Sequence, residues 1–176
     1  LLFVLVLLTL MIPSQSIQLP LFIQFSKMRI LNTILPLTIL SAVGLGLKSG
    51  LYIYLMRQFF RGLPKELENS AYIDGAGFLR TFVSIMLPNA MNMMITVFLF
   101  AFTWQWTDTT YNSMFMPNMN LLANMATNVA QGLEDAQQIA AINDTACLLI
   151  IFPLLIVFLF AQRYFIQSIE RSGLVE

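Results

Sequence analysis

The chain has 176 residues, 58% of them hydrophobic and only 10% charged, whereas an ordinary soluble domain carries roughly a quarter charged residues, so this much apolar surface calls for lipid. Nine basic and nine acidic residues cancel to a formal charge of zero, which leaves no field to gather nucleic acid or anionic substrates at long range. There is no histidine, and the single cysteine, Cys147, sits in an apolar run, which excludes disulfide frameworks and the common zinc constellations; no metal or other cofactor is expected.

The opening run, Leu1 to Ile12, has neither a basic leader nor a small-residue cleavage site, so it reads as part of a membrane helix cut at the start of a fragment and not as a signal peptide. A spanning helix needs about 20 apolar residues at about 1.5 Å rise each, and three further stretches approach that length. Between the opening run and the first of them, Pro13 to Thr33 mixes Pro13, Ser14, Gln15, Ser16, Gln18 and Pro20 with apolar residues before Lys27 and Arg29, a pattern of a surface turn and a short interfacial helix. Ile34 to Met56 is the clearest span. Asn89 to Trp106 and Thr145 to Ala161 are shorter and gain support from the charged or Gly/Pro-containing segments that bound them. Thr107 to Asp144, rich in Asn, Met, Gln and Ala and carrying Glu134, Asp135 and Asp144, reads as a partly helical excursion on the water side. The fold class expected is all-α: a polytopic membrane protein over residues 1–176, a bundle of three and a part transmembrane helices.

Basic residues near helix ends are retained on the cytoplasmic side. Arg57, Arg61, Lys65 and Arg80 follow Met56, and Arg163 and Arg171 follow the last span, against Lys27 and Arg29 on the other face. The segment 57–88 and the C-terminus are therefore expected in the cytoplasm and Gln131 outside it.

That cytoplasmic segment reads RQFFRGLPKELENSAYIDGAGFLRTFVSIMLP. Pro64 suits a first helical position, Lys65 to Asp74 gives about three turns, and Gly75 can take the left-handed conformation that ends a helix. A second helix runs from about Gly77 towards Leu87, and Pro88 starts the next span. Leu63, Leu67 and Ala71 recur every four residues as an apolar stripe, which a helix so short is not expected to bury alone.

With Gly75 followed by Ile85, Leu87 and Pro88 at fixed spacing, this segment resembles the signature loop of permease subunits of bacterial binding-protein-dependent ATP-driven (ABC) importers. The flanks Ile73-Asp74-Gly75-Ala76, Arg57-Gln58-Phe59-Phe60 and Leu63-Pro64-Lys65-Glu66-Leu67 are similar to the carbohydrate branch, the maltose and multiple-sugar permeases. Trp106-Thr107-Asp108, Gln162-Arg163-Tyr164-Phe165-Ile166, Ile12-Pro13 and Leu19-Pro20-Leu21 extend the likeness over nearly the whole chain. The family's Glu-Ala-Ala triplet is here Asn69-Ser70-Ala71, with Glu68 the nearest carboxylate. The resemblance implies a non-enzymatic inner-membrane subunit that works with an ATPase subunit dimer, a second permease subunit and an extracellular sugar-binding protein. It also implies that Glu68, Asn69, Ser70, Ala71, Asp74, Gly75, Ala76, Phe78 and Pro88 belong to a loop that couples to the ATPase. A non-transporting anchor subunit is the alternative, and a membrane enzyme is a weaker one, since Glu134 and Asp135 lack a companion base.

Other polar residues read two ways. Lys48, inside the Ile34–Met56 run, is costly to bury in lipid and either lines a translocation path or snorkels and pairs between helices. Asn89, Asn92, Thr96 and Thr103 share one helical face, which is a sugar-contacting stripe or, preferred, an interhelical polar seam. Trp104 and Trp106 are expected to anchor the outer interface, with sugar stacking as the alternative. Gly44-Leu45-Gly46-Leu47-Lys48-Ser49 lacks the glycine before Lys that a phosphate loop requires.

Overall fold

The computed structural model describes residues 2–46, 48–119, 121–126, 129, 132 and 135–173. They are helical, with no strand among the described residues: α1 (Leu2–Met11), α2 (Ser14–Lys27), α3 (Leu35–Ala42), α4 (Ser49–Gly62), α5 (Lys65–Ile73), α6 (Phe78–Thr81), α7 (Leu87–Asn89), α8 (Met91–Thr107), α9 (Thr110–Phe115), α10 (Leu122–Ala126) and α11 (Ala136–Gly173). A π-helical turn, Phe82–Met86, joins α6 to α7.

Ala136–Tyr164 of α11 is long and apolar enough to cross a membrane on its own. Two further candidates are bent pairs: α1 with α2, at 99°, and the helical stretch 78–89 with α8, at 69°. Proline accounts for the first bend, because Pro13 heads α2 in an extended conformation (φ −59°, ψ 126°) that a helix cannot continue through. The second falls at Ala90, whose N–H is shared between the carbonyls of Met86 and Leu87, both at 3.1 Å, and whose side chain is fully buried.

The clearest span expected from composition, Ile34 to Met56, is the one that the structure breaks. It is divided into α3 and α4 by residues 43–48, where Gly44 and Lys48 both have left-handed backbones (φ 74° and 59°). Hydropathy counts Gly44 and Gly46 as harmless, whereas each weakens a helix by about 1 kcal/mol relative to alanine. Lys48 therefore lies in the break, with an exposed side chain.

Two packed groups organise the chain. The short helices form a core of their own, with Phe25 of α2, Leu40 of α3 and Tyr111 and Phe115 of α9 buried together. Phe25 and Phe115 meet edge to face, 5.2 Å between centroids, the arrangement their ring quadrupoles favour. The Asn32 N–H donates to the Phe115 carbonyl at 2.7 Å, and the Asn118 N–H donates to Asn32 Oδ1 at 3.2 Å. The segment expected to be a turn and a short interfacial helix thus contains a 14-residue helix tied into this core.

The long helices form the second group, in which α1 packs on α4, and α4 and α11 pack on α8. Gly50 lets α1 approach closely, since a Cβ there would stand 2.8 Å from Leu10 Cδ2 and 3.0 Å from Thr9 Oγ1. Arg57 covers the Phe3 ring at 3.8 Å. Between α8 and α11, the Trp106 indole N–H donates to the Ile150 carbonyl at 3.0 Å. Ile150 lies in the helical turn before Pro153, next to Leu149, the residue whose carbonyl loses its helical donor to the proline. Trp106 thus gives its N–H to a neighbouring helix. Trp106→Phe keeps a ring against Phe102, 5.7 Å away, and loses the bond together with part of the indole's contact area, so the purified protein should lose about 1 kcal/mol of stability. Equilibrium unfolding in detergent–lipid micelles measures it, and an unchanged midpoint would show that the bond contributes nothing.

Candidate coupling loop and polar cleft

The loop is built by its helix ends. Helix α5 starts at Lys65, one residue later than the proline rule places it, with Pro64 as its extended cap. At the other end the Gly75 N–H donates to the Tyr72 carbonyl at 3.1 Å and the Ala76 N–H to the Ala71 carbonyl at 2.9 Å. These two bonds are the Schellman pair, which needs a left-handed residue at position 75; Gly75 has φ 77°. The expected positive φ is thus found. After Gly77 the helix resumes, and Thr81 Oγ1 donates back to the Gly77 carbonyl at 3.2 Å. Pro88 does not open the next span as expected but lies inside α7, and the π turn just before it accommodates the missing N–H and the bulk of its ring. Asn89 Nδ2 donates to the Ile85 carbonyl at 2.8 Å, satisfying one acceptor in the widened turn.

The apolar stripe does not need a partner. Ala71 is buried and Leu63 and Leu67 are half-buried, because α5 folds back on α6 and the π turn of its own chain. What remains bare is a different set: Ile73 is 85% exposed, Leu79 74%, Phe78 72% and Tyr72 48%. These four flank the Gly75 turn and form the apolar tip of the loop. Sequence periodicity missed Tyr72, Ile73 and Leu79, since a tip made from the ends of two helices has no helical period. Among the residues expected to couple, Asn69, Ser70, Asp74, Gly75, Phe78 and Pro88 are exposed and Ala76 is half-buried. Glu68 is half-buried and lines a groove with Arg57, Arg61 and Phe60, away from the tip.

A second feature lies at the break between α3 and α4. Lys48 opens onto a cleft of about 380 Å³ lined by the end of α1, the start of α2, the start of α4 and Tyr111. Its polar lining comprises Thr9, Ser14, Gln15, Ser49 and Tyr111 beside Lys48. The Lys48 ammonium stands 5.6 Å from the Trp104 ring centroid, a cation–π contact that anchors the charge without neutralising it. Trp104 also stacks on Phe100 and leans on Tyr52.

The other residues grouped with Lys48 do not join it. Thr96 is buried, with Oγ1 donating to the Asn92 carbonyl at 3.0 Å; Asn92 is half-buried, Thr103 exposed, and none of the three lines the cleft. Thr9, Ser14, Gln15, Ser49 and Tyr111 are spread over four helices, α1, α2, α4 and α9, so no spacing rule gathers them. Gln131 and Glu134 lie outside the described residues, and among those described no cluster suits a metal ion.

Beyond α8, the carboxylate of Asp108 accepts the N–H groups of Tyr111 and Asn112, each at 3.1 Å, and so satisfies the start of α9. Burial pushes its carboxyl above the usual carboxylate range, with backbone hydrogen bonds from Asn112, Tyr111 and Thr110 pulling the other way. A raised folded value gives stability that is complete below the ordinary carboxylate range and is lost as pH rises through the folded value. Lowering the pH from neutral into the mildly acidic range should therefore stabilise wild type relative to Asp108→Asn, which keeps an acceptor oxygen but does not titrate. Parallel shifts of the two melting midpoints with pH would contradict this.

Taken together, the bent and long apolar helices define an α-helical polytopic membrane protein. The chain matches, over residues 1–171, the family of binding-protein-dependent transport system inner membrane components, and it belongs to that family. It is 29% identical over 170 residues to an osmoprotective compounds uptake permease protein of Synechocystis, covering 96% of this chain and 56% of that protein. An arabinooligosaccharides transport system permease protein of Halalkalibacterium halodurans is 30% identical over 175 residues, 97% of this chain and 59% of its own length. A probable ABC transporter permease protein of Pyrococcus horikoshii is 30% identical over 169 residues, 95% and 59%. The chain therefore spans rather more than half the length of these relatives. No solved structure gives a significant match.

Proposed function

We infer that this chain is the membrane-spanning part of a permease subunit in an ATP-driven importer of carbohydrates. The observation that carries this is the loop tip: an apolar surface of Tyr72, Ile73, Phe78 and Leu79, fixed by the Gly75 turn, in a chain of this family. Bare apolar patches of this kind mark interaction sites. The occupant proposed is a cleft of an ATPase subunit dimer on the cytoplasmic side. A second permease subunit completes the membrane assembly and an extracellular binding protein delivers the solute. The chain itself carries no catalysis, and segment 57–88 acts as a rigid lever that passes nucleotide-driven closure to α4 and α8. Lys48, with Asn92, Thr96 and Thr103 as further candidates, belongs to the translocation path. The names of the relatives, which include arabinooligosaccharides and osmoprotective compounds, support carbohydrates as the cargo class.

Two measurements test this. The affinity-tagged chain should bring down an ATPase from its own membranes, and vesicles holding the complex should take up labelled oligosaccharide only with ATP; absence of both removes the importer reading. For orientation, Lys65→Cys in a Cys147→Ser background should resist an impermeant thiol reagent in intact cells and react after the membrane is opened. Reaction in intact cells would reverse the topology.

A further inference from the structure

We propose that the cleft at the α3–α4 break is a solute subsite of this subunit that selects carbohydrates bearing an anionic group, a carboxylate or a phosphate, with Lys48 as the residue that reads the charge. The proposal rests on the importer reading above and adds the class of solute.

The cleft's volume, about 380 Å³, falls in the ~300–1,000 Å³ range of small-molecule sites. Hydroxyls from Thr9, Ser14, Ser49 and Tyr111 and the amide of Gln15 line it, a set that can both donate to and accept from sugar hydroxyls. Lys48 is the one charged residue in that lining, and no carboxylate accompanies it among the described residues. The Lys48 ammonium is exposed, and the cation–π contact with Trp104 anchors it without supplying a counter-charge. The backbone adds a second indication. Lys48 holds a left-handed conformation (φ 59°), as Arg29 and Asn32 also do, that a non-glycine residue adopts at a cost, and it sits at the α3–α4 break that opens the cleft. A neutral sugar would satisfy the hydroxyls and leave the ammonium without a counter-charge, whereas a sugar acid or sugar phosphate satisfies both.

The test uses the full transporter in membrane vesicles, with Ser49→Cys in a Cys147→Ser background, because Ser49 adjoins Lys48 in the lining. A small thiol reagent should label Ser49→Cys. Glucuronate and glucose 6-phosphate should slow that labelling at least several-fold, glucose at the same concentration and inorganic phosphate much less, and Lys48→Gln should abolish the difference. The two anions also report whether carboxylate or phosphate is preferred. If Ser49→Cys does not react at all, the cleft is closed to solute and its place in the translocation path fails along with the anion inference. Labelling that glucose slows as well as the anions do, or that no probe slows, or protection that survives Lys48→Gln, leaves the path intact and overturns the anion selectivity.

Discussion

Gly75→Val should leave the protein in the membrane at normal abundance while transport falls by an order of magnitude or more. Space is not the reason, for a Cβ on Gly75 would meet nothing within 4 Å. The effect comes from the backbone: at φ 77° an L-residue costs roughly 1–2 kcal/mol, with β-branched side chains the worst placed. Since about 1.4 kcal/mol is a factor of ten in an equilibrium, valine shifts the population away from the Schellman turn by about tenfold. The bonds from the Gly75 and Ala76 N–H groups then open, and Tyr72 and Ile73 no longer share a surface with Phe78 and Leu79. Because the neighbouring helices α4 and α8 pack on each other independently of this turn, insertion should be unaffected. Gly75→Asn provides the control, because asparagine tolerates the left-handed region and should retain most of the activity. Uptake and ATP hydrolysis, both normalised to membrane abundance, are the readouts; if Val and Asn behave alike, the turn is not what the loop requires.

The sequence made some of these features legible and concealed others for identifiable reasons. Chemistry local to a few residues was readable: Gly75 after a three-turn helix announced a left-handed stop, and the structure has it there. The spans were readable as apolar content but not as geometry. The run from Ile34 to Met56 is apolar enough to span, yet Gly44, Gly46 and the left-handed Lys48 break it, and summed hydropathy is blind to backbone conformation. Helices α1 and α2 bend by 99° at a proline that composition registers only as one residue. What was least readable was any surface assembled from distant pieces. The cleft draws on α1, α2, α4 and α9, and the loop tip joins the end of one helix to the start of another. Helical periodicity found the stripe of Leu63, Leu67 and Ala71 correctly but could not say which neighbour covers it.

That difference between the covered stripe and the bare tip separates two kinds of variant, and the contrast should be large. Ile73 and Phe78 are mostly solvent-exposed, so Ile73→Asp combined with Phe78→Asp removes no internal packing and should leave abundance and melting behaviour near wild type, within about 0.5 kcal/mol for each exposed site. If the tip seats in an ATPase cleft, two charges placed in a desolvated apolar contact should cost at least about 2 kcal/mol apiece, the scale of an interface hot spot. Together that weakens association by a hundredfold or more at about 1.4 kcal/mol per decade, enough to lose the ATPase during purification and to abolish uptake. Leu67→Asp should do the reverse. Its side chain is half-buried where α5 folds back on its own chain, so a carboxylate there unseats the helix, and reduced abundance should accompany any loss of transport. The decisive comparison is the ratio of co-purified ATPase to permease in the two variants. Were the double variant to keep its ATPase while Leu67→Asp, at normal abundance, lost it, the stripe would be the docking face after all and the exposed tip would need another partner.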